Sequence, residues 1–175
     1  MKQPETHIVR QLLALTLMGL LVLPATQAMA QTDQRPRSNI AQTLQDAGTF
    51  TVLWNAAAAT GLIEELKEPG QRITILAPSD EAFSRLPQGT VEFLMRPENR
   101  NELGRLLKNH LLPGQVLARS FAGQSMTLPS LLGQDLTIDG SGEVKTVNGV
   151  RITNTDVVAS NGVIHIIDQV LVPKT

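Results

Sequence analysis

Ser160-Asn161-Gly162-Val163-Ile164-His165-Ile166-Ile167-Asp168-Gln169-Val170-Leu171-Val172-Pro173 is the stretch whose pattern decides the fold. A strand with one wet face alternates apolar and polar residues. Here Val163, Ile167 and Leu171 share one parity, and Ile164, Ile166, Val170 and Val172 share the other. Both faces are apolar, so the strand is expected to be covered on both sides. The polar pair Asn161-Gly162 opens it and Pro173 closes it. His165 stands alone between Val163 and Ile167, where a hydrogen-bonded core histidine is expected.

Working back from this strand, the chain after Pro113-Gly114 is a series of short strand-like runs at 115–118, 125–128, 134–138, 144–147, 150–153 and 156–159. Asn148-Gly149 is a strong hairpin signal, because both residues tolerate positive φ. The first half differs. Over 39–66 the apolar residues keep helical spacing: Ile40, Leu44 and Ala47, then Phe50, Leu53, Trp54 and Ala57, then Ala58, Leu62, Ile63 and Leu66. Gly48 and Gly61 mark breaks. Residues 72–77 read as one short strand, and Ser79 caps a helix with Asp80 and Glu81 in its first turn. Thr90 is expected to cap a further short helix, and 97–110 a longer one with Leu103, Leu106, Leu107 and His110 on its apolar face. Helices followed by strands predict an α+β fold.

The first thirty residues read as a secretory signal peptide. Lys2 and Arg10 make a basic start, an apolar run follows to Ala25, and Ala28-Met29-Ala30 offers a small-residue cleavage site after Ala30. The run is shorter than the roughly 20 residues a spanning helix needs, so no transmembrane segment is expected after cleavage. Residues 31–38 read as a flexible lead-in and 39–173 as a single domain. The chain has no cysteine, which excludes thiol catalysis, thiolate metal sites and lipid attachment at the cleavage site. A domain of this length buries roughly 70% of its unfolded surface and needs no disulfide. Net charge is −1 for the whole chain, with no basic patch, so nucleic acid is not an expected partner.

Three blocks together resemble the fasciclin domain: Thr74-Ile75-Leu76-Ala77-Pro78-Ser79-Asp80-Glu81-Ala82-Phe83-Ser84-Arg85-Leu86-Pro87, then Leu106-Leu107-Lys108-Asn109-His110-Leu111-Leu112-Pro113-Gly114, then the terminal strand. The resemblance implies a wedge-shaped β-sandwich of about seven strands with a helical half packed against it. It also implies a secreted or periplasmic, non-enzymatic adhesion module like the small single-domain bacterial members. Such a module would bind a protein or polysaccharide of a cell surface or matrix, or a second copy of itself. The family's usual Tyr-His pair is Asn109-His110 here, and the chain contains no tyrosine. Asp156-Val157 occupies the place of an Asp-Ile pair that some animal members offer to integrins.

The candidate adhesive residues are therefore Asp156, Val157, Asn109 and His110. Thr74, Asp80, Phe83, Asn161, Gly162 and His165 belong to the signature blocks and are assigned structural roles. No catalytic residue, cofactor or metal is expected: the histidines lack ligand spacing, Asp80 and Glu81 point in different directions on a helix, and no Gly-x-Ser-x-Gly elbow or glycine-rich phosphate loop occurs. Of the five aromatic side chains, Phe50, Trp54, Phe83 and Phe93 lie on apolar helical faces and are expected in the core, leaving only Phe121 in a loop-like context. The alternative function is a periplasmic small-molecule or lipid-binding protein. An apolar cavity above roughly 300 Å³ would be its sign.

Overall fold

The structure is a computed structural model that describes residues 38–173. The expected signal peptide and all but the last residue of the lead-in lie outside the described residues. The first half is helical. Asn39 caps α1 (Ile40–Ala47) by accepting from the Gln42 amide at 2.8 Å, and Gly48 ends the helix at φ 66°. α2 (Thr51–Thr60) and α3 (Leu62–Lys67) meet at Gly61, φ 79°. Both expected breaks fall where the chain turns left-handed, a conformation that a Cβ disfavours.

The start of α2 depends on a distant residue. Phe50 precedes the helix and has no polar group to cap it. The Asp80 carboxylate accepts from the Thr51 amide at 3.1 Å and the Val52 amide at 2.9 Å. Asp80 also opens its own helix, α4 (Asp80–Ser84), which Ser79 caps through the Ala82 amide. One carboxylate thus ties two helices together across 28 residues of chain. Asp80→Ala removes the side-chain cap of α2 and is expected to cost about 1–2 kcal/mol. A urea titration would read this as a lower midpoint at constant slope; a midpoint at the wild-type value would contradict the capping role.

α5 (Thr90–Leu94) begins after Gly89, and Thr90 is its first residue rather than its cap; it makes no capping hydrogen bond. The expected helix over 97–110 is divided. A 3-10 turn at Pro97–Asn99 precedes α6 (Arg100–Asn109), because Asn99, the last residue of the turn, adopts φ −99°, ψ 12°.

Seven strands are described: β1 (Ile73–Pro78), β2 (Leu111–Pro113), β3 (Ser125–Pro129), β4 (Asp135–Asp139), β5 (Thr146–Val147), β6 (Val150–Ala159) and β7 (Gly162–Ile167). Their order is β2-β1-β7-β6-β5-β4-β3. β7 runs parallel to β1 from Ile73↔Gly162 to Pro78↔Ile167, while every other pairing is antiparallel. The register opens on a close approach: a Cβ at Gly162 would meet the Ile73 carbonyl and come within 2.6 Å of Ile40 Cδ1. Asn148 (φ 49°) and Gly149 (φ 83°) form the expected hairpin turn between β5 and β6.

Two sequence expectations are corrected here. Residues 115–118 are not a strand. Gly114 turns at φ 86°, and the Thr74 hydroxyl then donates to the Gly114 carbonyl and accepts from the Val116 amide, each at 2.8 Å. The segment's backbone is satisfied by a side chain, and it leads into a helical turn, α7 (Ala118–Phe121). The runs 150–153 and 156–159 are one strand, β6, broken by bulges. Asp156 therefore lies inside a long strand and not at the start of a separate one.

Two apolar cores flank the central strands. Ile73, Ile75 and Ala77 of β1 and Ile164 of β7 pack against α1, α2, α3 and α6. On the opposite face, Leu76 and Ile167 join Leu112, Phe121, Leu136, Ile138, Val147 and Ile152. Strands from both ends of the order contribute to this second core, so the sheet folds over on itself as a sandwich. The Leu131 amide donates to the Leu111 carbonyl at 2.8 Å, bringing the β3 end of the sheet to β2. β7 is thus covered on both sides, but the strand expected to run on to Pro173 ends at Ile167: beyond it the Leu171 backbone bonds the side chains of Asn109 and His110 in place of a neighbouring strand, and Val172 is 65% exposed. The aromatic assignment is reversed at two positions: Phe121 is fully buried in the second core, and Phe93 is 51% exposed.

Candidate functional site

The end of α6 carries Asn109 and His110. Leu103, Leu106 and Leu107 bury the inner face of the helix, which carries the following two residues inward. Asn109 is 2% and His110 1% exposed. The His110 ring bonds the Leu106 carbonyl through Nδ1 at 2.8 Å, and Nε2 accepts from the Leu171 amide at 2.9 Å. An acceptor at Nε2 places the proton on Nδ1, so the ring is neutral in one tautomer. Burial pushes its pKa down to about 4, with the Leu106 hydrogen bond opposing. Asn109 Nδ2 donates to the Leu171 carbonyl at 3.1 Å, and its Oδ1 accepts from Ser130 Oγ at 3.3 Å. Both side chains therefore clamp the segment after β7 to α6. Neither presents a surface that a partner could touch.

Asp156 lies elsewhere. Thr155 and Asp156 together oppose His165, between the pairs Asn154↔Ile166 and Val157↔Ile164, which makes a bulge with two residues facing one. Asp156 takes φ 59°, in the left-handed region that Asp and Asn tolerate best after glycine. Its amide donates to His165 Nδ1 at 3.3 Å, and His165 Nε2 in turn donates to the Val116 carbonyl at 2.7 Å. His165 is fully buried, with the Phe121 ring edge-on at 5.9 Å between centroids. Burial lowers its pKa, against the raising effects of the Val116 bond and the Asp156 charge. The Asp156 carboxylate accepts from the Ala118 amide through Oδ1 at 2.8 Å, so it caps α7. Asp156 is exposed, with half-buried Val157 and 45% exposed Val158 beside it.

The remaining signature residues hold backbone. Thr74 fixes the 114–116 segment, Asp80 caps α2, and Phe83 is buried against the helical core. Asn161 is buried in the turn between β6 and β7. Its Oδ1 accepts from the Ile40 amide at 2.9 Å, and its Nδ2 donates to the Leu66 carbonyl at 2.7 Å and the Glu68 carbonyl at 3.3 Å. It thereby pins the start of α1 and the end of α3 to the central strand. His110 and His165 each have both ring nitrogens engaged with backbone, so neither is free to take a proton from a substrate. Among the described residues no cluster of three or more His, Asp or Glu could hold a metal, and no helix is long and apolar enough to cross a membrane.

Sequence reasoning missed a groove of about 450 Å³ between α5, α6 and the segment after β7. Phe93 and Leu94 line it, in the short helix whose apolar residues read as core. The only available signal was that this helix carries apolar residues on more than one side.

Residues 48–173 match the Fasciclin domain family. The protein sll1483 of Synechocystis sp. is 44% identical over 126 residues, covering 71% of this chain and 68% of the relative. The transforming growth factor-beta-induced protein ig-h3 of Sus scrofa is 41% identical over 140 residues, covering 79% of this chain and 20% of that protein. A solved structure of a domain pair from the insect cell adhesion molecule Fasciclin I superposes with a TM-score of 0.70 over 79% of this chain and 52% of that one. At 18% identity that likeness is one of fold. With three signature blocks placed in the central strands and helix ends, and the family matched over residues 48–173, this chain belongs to the fasciclin domain family.

Proposed function

We propose that the chain is an exported, non-enzymatic adhesion module that binds a protein or polysaccharide of a cell surface or matrix through the bulge of β6. The observation that carries this reading is the state of Asp156. One carboxylate oxygen is fixed by the Ala118 amide, and the residue is held at a positive φ over a buried histidine, yet it remains exposed. A rigid, half-satisfied carboxylate flanked by Val157 and Val158 combines a charged contact with apolar area, and its order is established before binding. Membership of the fasciclin domain family over residues 48–173 supports the same class of activity. Asn109 and His110 enter this reading as residues that hold the fold around the site, since both are buried.

Asp156→Asn separates binding from folding. Asparagine keeps an oxygen for the Ala118 amide and tolerates the left-handed backbone, but removes the charge. Retention of labelled protein on intact cells is expected to fall about tenfold with the melting temperature unchanged, as for loss of a charge-assisted contact. Equal retention of the two proteins would remove Asp156 from the site.

A further inference from the structure

Among the described residues five large apolar side chains are exposed, and two of them, Phe93 and Val172, line the same groove. Leu86, Leu94, Leu106 and Val170 complete its apolar wall, and its volume of about 450 Å³ is that of a small-molecule site. Arg105 stands at its edge and also lines a second cleft, of about 280 Å³, between α6 and the α2–α3 junction. Arg100 and Lys108 line that cleft too, with Glu65 the single acidic residue there. The ion pairs of the described residues are made by Lys67 and Arg85, so Arg100, Arg105 and Lys108 are unpaired. An apolar groove and a basic cleft thus meet at one guanidinium.

We propose that this groove binds a long-chain fatty carboxylate, with the acyl chain along Phe93, Leu94, Leu106 and Val172 and the carboxylate on Arg105. The planar guanidinium matches a carboxylate in two parallel hydrogen bonds. Glu102 lines the same groove and disfavours a doubly charged head, which selects a carboxylate over a phosphate monoester. The groove lies on the helical half of the domain, whereas Asp156 belongs to the β6 bulge, so the proposal is independent of the adhesive reading.

Calorimetric titration with dodecanoate, below its micelle concentration, tests it, with dodecyltrimethylammonium as a probe of equal tail and opposite charge. Saturable one-to-one binding of dodecanoate is expected, with the cationic probe at least about tenfold weaker. Arg105→Gln should weaken dodecanoate about tenfold and leave the cationic probe no weaker. Phe93→Ser should weaken both severalfold, and because Phe93 is half-exposed it leaves the fold intact. Absence of saturable dodecanoate binding, equal affinity for the two heads, or full affinity in Arg105→Gln would overturn the proposal.

Discussion

Asn161→Ala is expected to destabilise the protein by about 2–5 kcal/mol, among the largest effects available to a single polar truncation. The side chain is buried and makes three hydrogen bonds to backbone groups, at Ile40, Leu66 and Glu68. Ile40 is fully buried and Leu66 nearly so, so water cannot replace the lost partner at either. Each orphaned buried group costs about 1–3 kcal/mol, against a total stability of about 5–15 kcal/mol for a domain. Asn161→Asp sharpens the case. It keeps the acceptor for the Ile40 amide but places a carboxylate against two carbonyl oxygens, so it too should destabilise despite its equal size. Urea titration of both variants checks this; a loss below about 0.5 kcal/mol in Asn161→Ala would mean the turn is held by packing alone.

Acid is the second large effect. The unfolded chain binds a proton at His110 near the ordinary 6.5, while the folded chain does so only near about 4. Below 6.5 the unfolded state therefore holds more protons, and stability falls as pH falls through this window. His110 alone accounts for a loss on the order of 3 kcal/mol by pH 4, at 1.36 kcal/mol per pKa unit. His165 is lowered in the same direction and adds to the loss. The structural reason is shared: each ring accepts a backbone N–H on one nitrogen, from Leu171 or from Asp156, and protonation turns that acceptor into a donor. Denaturant midpoints measured from pH 7.5 to pH 4 should fall steadily below 6.5, and less steeply in His110→Gln. A flat profile would contradict the assigned tautomers.

Much of this fold was legible in the sequence, and the reason is local. The terminal strand announced its burial because both parities are apolar, and Asn148-Gly149 announced its hairpin through two residues that accept positive φ. What was not legible depends on partners far along the chain. Thr74 satisfies the backbone at 114–116 from 40 residues away, so a stretch that looked like a strand is a loop. Phe121 has no periodic neighbours, yet it fills the second core against His165. Asp80 looked like a first-turn acid of its own helix, and its carboxylate caps another.

The candidate site was legible in type more than in place. Asp156 is a candidate through the place it shares with the family's Asp-Ile pair, but the bulge that fixes it needs His165, nine residues later, to receive its amide. Asn109 and His110 were candidates through resemblance, and their burial shows why helical spacing with Leu103 and Leu107 carried the better information. The apolar groove draws its walls from three separated segments, which no window along the chain would combine.

We propose that the signature histidines and asparagines hold the fold while the β6 bulge makes the contact. Amide hydrogen exchange on the protein bound to intact cells, against the free protein, tests this most directly. Slowed exchange confined to residues 154–158 and the adjoining Ala118 turn is the predicted result. Unchanged exchange there, with slowing at another surface, would contradict it.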